Sequence, residues 1–137
     1  MKKAFFFLII SALALQGCGE TALPDPNPQG SSGTDVEIDI NNSTYSDLKQ
    51  VGGTVLLSTQ KIRVARYQAE RWSAVQGYCP SDATVALSYN HSDLSYRCSK
   101  DNSVYGVDGK AKSGSSTNLK VYNTSFSANS GILRIFE

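Results

Sequence analysis

The sequence predicts an all-β domain, a small antiparallel sandwich or barrel. Three observations carry that reading. From Asp35 onward, apolar and polar residues alternate with a period of two. Turn signals built from Gly, Asn, Asp and Ser recur about every eight to twelve residues. No stretch after residue 50 carries a helical stripe. Apolar residues at 40% and charged residues at 18% suffice for a packed core. The net charge of +1 offers no basic stripe to a nucleic-acid backbone and no acidic tail to a basic partner.

Each element follows in turn. Val36, Ile38 and Ile40 alternate with Glu37 and Asp39 as a half-buried strand. Asn41–Gln50 is polar, with Tyr45 and Leu48 three apart, and reads as a turn or one short helical segment. Thr54–Leu57 and Ile62–Arg66 are β-rich runs around a Thr59-Gln60-Lys61 turn, and Trp72–Val75 follows an Ala69-Glu70 turn. Val85–Tyr89 and Leu94–Arg97 flank the hairpin connection Asn90-His91-Ser92-Asp93. Asp108-Gly109 is a hairpin turn, because both residues accept positive φ. Lys120–Phe126 and Ile132–Phe136 flank a turn at Ala128–Gly131.

The N-terminal segment reads as an address. Lys2 and Lys3 precede the apolar run Ala4–Leu15, which is shorter than the roughly 20 residues a spanning helix needs. This is the pattern of a secretory signal peptide. Its end, Leu15-Gln16-Gly17-Cys18, resembles the lipobox of bacterial lipoproteins. The resemblance implies a leader of residues 1–17, cleavage before Cys18, and diacylglycerol on the Cys18 thiol as a membrane anchor. Residues 18–34 hold three of the four prolines and few large apolar side chains, and read as the lipidated cysteine and a flexible tether. Extended, the tether reaches up to about 50 Å. Residues 35–137 form the folded domain. Gly19, in place of the Asp that retains lipoproteins at the inner membrane, favours the outer membrane of the bacterial envelope. Removing Lys2 and Lys3 turns the net charge weakly negative. Cys79 and Cys98 remain as a pair in an oxidising compartment and are disulfide candidates.

Within 35–137 the order of features resembles a Rieske domain. A strand with Trp72-Ser73-Ala74-Val75 leads into Tyr78-Cys79-Pro80-Ser81. Sixteen residues separate Ser81 from Cys98. Then come Cys98-Ser99-Lys100-Asp101, Asn102-Ser103-Val104-Tyr105, the Asp108-Gly109 turn, Ser113-Gly114 and Leu119-Lys120-Val121-Tyr122. The family pattern is C-x-H, a similar gap, then C-x-x-H, followed by a G-S-x-F box, a D-G turn, a G-P loop and an L-x-x-Y strand. The resemblance implies a Rieske-like small antiparallel sandwich or barrel with a two-loop cluster-binding tip. Its ligand positions fall on Cys79, Ser81, Cys98 and Asp101.

The departures fall on the chemistry. Ser81 and Asp101 stand where the family has histidine, Asn102 where it has glycine, and Gly114-Ser115-Ser116 where it has a G-P loop. A serine hydroxyl and one hard carboxylate are poor substitutes for imidazoles on an iron–sulfur cluster. His91, the single histidine, is expected at an exposed hairpin tip. In the family both cysteines bind one iron with their sulfurs close together, so the resemblance implies that the emptied site closes as a Cys79–Cys98 disulfide.

No catalytic residue is expected: Ser81 and Asp101 have no histidine or lysine in a motif context beside them. Trp72 is expected in the core. Tyr78, Tyr89, Tyr96, Tyr105 and Tyr122 are expected as half-buried packing residues with hydroxyls reaching water, and Arg63, Arg66, Arg71 and Arg97 on solvated faces. The leading function is a non-catalytic, cluster-free, membrane-anchored binding or structural module, with no cofactor and a protein partner of unstated kind. The alternative is an electron-transfer protein with an atypically ligated 2Fe–2S cluster and a redox partner. A thiol–disulfide role for Cys79 and Cys98 is weakest, since neither sits in a C-x-x-C context.

Overall fold

The computed structural model describes residues 33–137. The expected leader, Cys18 and nearly all of the tether lie outside them. The period-two pattern becomes strands. β1 (Asp35–Asp39) turns Ile38 inward and Asp35, Glu37 and Asp39 outward. Asn42 then caps a 3-10 helix (Ser43–Lys49), its side chain accepting from the Thr44 amide at 2.9 Å. A 3-10 turn repeats every three residues, which is the spacing that puts Tyr45 and Leu48 on the core side.

The expected hairpins follow: β2 (Thr54–Leu57), β3 (Ile62–Gln68) and β4 (Arg71–Gln76) form a meander. After a short excursion, β11 (Val121–Ser127) and β12 (Ile132–Phe136) complete a six-stranded antiparallel sheet in the order β1-β12-β11-β4-β3-β2. β11 alternates exposed and half-buried along its whole length, so Tyr122 and Phe126 face the core.

The excursion carries the tip. β5 (Tyr78–Cys79) and β6 (Asp82–Ala86) form a two-stranded ribbon. β7 (Ser88–Asn90), β8 (Ser95–Arg97), β9 (Val104–Gly106) and β10 (Ala111–Ser113) form a four-stranded sheet. The expectation of one strand over Val85–Tyr89 is corrected here. The run breaks at Leu87, which is fully buried and donates its amide to the Gly77 carbonyl at 2.9 Å. That bond ends the ribbon, and the chain then joins a different sheet.

Two cores result. Ile38, Leu48, Ile62, Val64, Trp72 and Ile135 belong to one, in which the Trp72 and Phe126 rings lie 4.3 Å apart. Ala65, Val75, Cys79, Leu87, Tyr96, Cys98 and Tyr105 belong to the other. β3 and β4 serve both. Val64 and Ala74 point to the first core, Ala65 and Val75 to the second. Being covered on both faces, these strands need apolar residues at successive positions rather than alternation.

Two expectations about side chains are corrected by the same geometry. Arg71 and Arg97 are exposed, but Arg63 and Arg66 are half-buried on β3. Arg66 lies over the Trp72 ring at 5.0 Å and donates to the Lys49 carbonyl at the end of the 3-10 helix. Tyr96 and Tyr105 are fully buried, and among the described residues their hydroxyls have no hydrogen-bond partner. They occupy the two middle strands of the four-stranded sheet, packed among Ala65 and Val75 of the large sheet. Trp72, at 6% exposed, lies in the core as expected.

Candidate functional site: a two-loop tip

Two loops meet at the tip. The first is the β5–β6 connection, Pro80-Ser81. The second is Ser99–Asn102, between β8 and β9, closed at its base by the Cys98 amide donating to the Ser103 carbonyl at 3.0 Å. Asn102 has φ 61°, in the left-handed region. Glycine enters that region freely, and asparagine is among the few other residues that do so often. Asn102 therefore suits the backbone this loop requires.

Cys79 and Cys98 are joined as a disulfide, with Cα atoms 5.5 Å apart and each residue 1% exposed. Outside it, at the surface, the Ser81 hydroxyl donates to Asp101 Oδ2 at 2.5 Å. Asp101 Oδ1 accepts the Ser103 amide at 2.9 Å. A third link, Lys100 Nζ to Asp82 Oδ2 at 3.7 Å, joins the same loops. Asp82 also accepts the Thr84 hydroxyl at 2.6 Å and the Thr84 amide at 3.0 Å.

Hydrogen bonding from Ser103 and from the Ser81 hydroxyl holds the Asp101 carboxyl down at about 2. A hydroxyl has one proton, and that of Ser103 is directed to the Gly114 carbonyl at 3.0 Å. Ser81 and the Ser103 amide are therefore the donors to Asp101 that the geometry supports. The loop after β10 leans on this same residue. Gly114 has φ 75°, and a Cβ there would stand 2.9 Å from Ser103 Cα, so only glycine allows the approach.

The four family ligand positions are thus brought together and occupy one another: Cys79 with Cys98, Ser81 with Asp101. His91 is exposed on the β7–β8 connection, with Nδ1 3.2 Å from the Tyr89 hydroxyl. The ring also lies against Gly52 of the segment before β2. A 2Fe–2S cluster needs four protein ligands. Among the described residues no group of three His, Cys, Asp or Glu side chains is placed to hold a metal ion. The donors as arranged do not fit a cluster.

A solved structure assigned as the small subunit of an NADH-dependent nitrite reductase from Mycobacterium tuberculosis is similar to this chain. The TM-score is 0.53 at 12% identity, over 78% of this chain and 97% of that chain. The fold is Rieske-like. No family model matches the sequence, and no curated protein matches it. The Rieske-like frame explains why two loops far apart in sequence converge on one buried pair of sulfurs. The pairing of Cys79 with Cys98 was legible in the sequence. The Lys100–Asp82 link and the burial of Tyr96 and Tyr105 were not. The one local signal for the tip's backbone was Asn102, a residue that enters the left-handed region.

Proposed function

We propose that this chain is a membrane-anchored, Rieske-like module that carries no iron–sulfur cluster and acts as a non-catalytic binding or structural domain. The observation that carries this reading is the Ser81–Asp101 hydrogen bond. It unites the two positions that would otherwise face the second iron, above a disulfide that unites the two that would face the first. A carboxylate held at about 2 is also a weak base at neutral pH, far from what general-base catalysis requires. The membrane anchor rests on the lipobox-like Leu15-Gln16-Gly17-Cys18, and its residence in the outer membrane on Gly19.

The competing reading is electron transfer through a 2Fe–2S cluster on Cys79, Cys98, Asp101 and Ser81. It requires reduction of the disulfide and separation of Ser81 from Asp101. Anionic oxygen ligands would leave such a centre at a lower potential than a two-imidazole one. The discriminating experiment is purification under anaerobic conditions after iron supplementation, followed by a visible spectrum and an iron assay. A colourless, iron-free protein is expected. A brown protein with two irons per chain would replace this proposal with electron transfer.

A further inference from the structure

Cations are unevenly partnered in this domain. Among the described residues the salt bridges take up Arg97, Lys100, Lys110, Lys120 and Arg134. They take up none of Lys49, Lys61, Arg63, Arg66 and Arg71, which crowd into one stretch of chain with Asp47 and Glu70 as its acids. Arg66 is occupied by the Leu48 and Lys49 carbonyls. Arg63 is different. It is half-buried on β3, and its Nε is buried with no partner among the described residues. Burial pushes its pKa down, as for a cation that loses water without gaining a counter-ion. The Tyr96 and Tyr78 side chains act on it, but a phenol carries no charge at neutral pH.

Arg63 also stands beside an open edge. β2 is the last strand of the six-stranded sheet, and Leu56 lies opposite Arg63. The Arg66 amide donates to the Gly53 carbonyl at 2.9 Å. Bonded and non-bonded pairs alternate along an antiparallel ladder. Val55 and Leu57 therefore bond to β3, while the N–H and C=O groups of Thr54 and Leu56 turn outward. None of the turn and loop backbone hydrogen bonds reaches them. Thr54-Val55-Leu56-Leu57 has no charge and no proline to repel an added strand.

We propose that β2 receives an extended acidic segment of a partner protein as an added antiparallel strand, with a carboxylate side chain drawn to Arg63. The incoming residue opposite Leu56 exchanges both backbone bonds with it, and its side chain shares the face of Leu56 and Arg63. A glutamate there and Arg63 together bridge two strand spacings, about 9–10 Å. Lys61, exposed in the turn after β2, attracts a second carboxylate. Lys49 and Asp47 both line the groove before β2, so that end adds little attraction. The β1 edge, with exposed Asp35, Glu37 and Asp39, repels the same segment. An acidic strand therefore selects one edge of the sheet. This names a partner class for the binding module proposed above and rests on that reading.

The test is titration of the full chain in detergent with a fluorescent octapeptide of alternating valine and glutamate. Anisotropy reads affinity, and amide exchange by mass spectrometry reads the edge. Binding that weakens with salt is expected, with slowed exchange in residues 54–57. Arg63→Gln should weaken it about tenfold, and Lys61→Gln about twofold. A valine–lysine peptide and an acidic peptide interrupted by proline should bind at least about tenfold more weakly. No binding, equal binding of the proline peptide, unchanged exchange in residues 54–57, or indifference to Arg63→Gln overturns the proposal. Self-association of the chain that excludes the peptide overturns it too. The iron assay needs no peptide, so an iron-free protein that ignores the peptide overturns this inference and leaves the cluster-free reading standing.

Discussion

Ser81 and Asp101, twenty residues apart in sequence, share a 2.5 Å hydrogen bond between the two loops that the buried Cys79–Cys98 disulfide also ties. In the resembled family these two positions carry histidines, whose ring nitrogens face a metal rather than each other. Here the two side chains are a donor and an acceptor bonded to each other.

The first prediction concerns acid. The folded-state pKa of Asp101 is lowered from 3.8 to about 2. A depressed carboxylate contributes stability that is present above its unfolded value and lost as pH falls through the folded one. The acid limb of a stability–pH curve should therefore carry an Asp101 component between about pH 4 and pH 2. Asp101→Asn should remove that component while leaving those of Asp82 and Asp93, which are also depressed. Carboxyl ¹³C titration of Ser81→Ala should find Asp101 moved back toward 3.8; an unmoved value would mean that the Ser81 bond contributes nothing.

Disulfide removal tests the second link. The bridge spans a sequence separation of 19 residues. In the chain-entropy account a loop of that size contributes about 3 kcal/mol. Cys79→Ala with Cys98→Ala should shift the urea midpoint accordingly. Thiol titration of the denatured, unreduced wild-type protein should find neither Cys79 nor Cys98 free.

Backbone shape at the tip gives a third. Asn102 at φ 61° should tolerate glycine within a few tenths of a kcal/mol, whereas Asn102→Val should cost about 1–2 kcal/mol. Gly114→Ala should be at least as costly, because its Cβ also meets the Ser103 backbone. Chemical denaturation of the three variants ranks them.

The buried phenols give a fourth. A hydroxyl with no partner in an apolar interior is destabilising, by about 1–3 kcal/mol in mutational comparisons. Tyr96→Phe and Tyr105→Phe should each leave the melting temperature unchanged or raise it. A fall in either variant would reveal an internal water bonded to that hydroxyl.

Much of the fold was readable without coordinates. The alternation in Val36–Ile40, the turn before Trp72 and the Asp108-Gly109 hairpin are local signals, since strand period and turn chemistry act over a few residues. The pairing of Cys79 with Cys98 was equally plain. The break at Leu87 was not, because Val85–Tyr89 looks continuous until the Gly77 carbonyl takes the Leu87 amide from the other side of the ribbon.

The sequence by itself determined the strands of the six-stranded sheet and their turns. Only the tertiary structure decided what those residues face. Arg66 is drawn inward by Trp72 and the Lys49 carbonyl, Tyr96 is sealed between two sheets, and Ser81 meets Asp101. The reason is range. Periodicity and φ preferences are settled between neighbours along the chain, but burial and hydrogen-bond partnership are settled between strands that meet only when the sheets close.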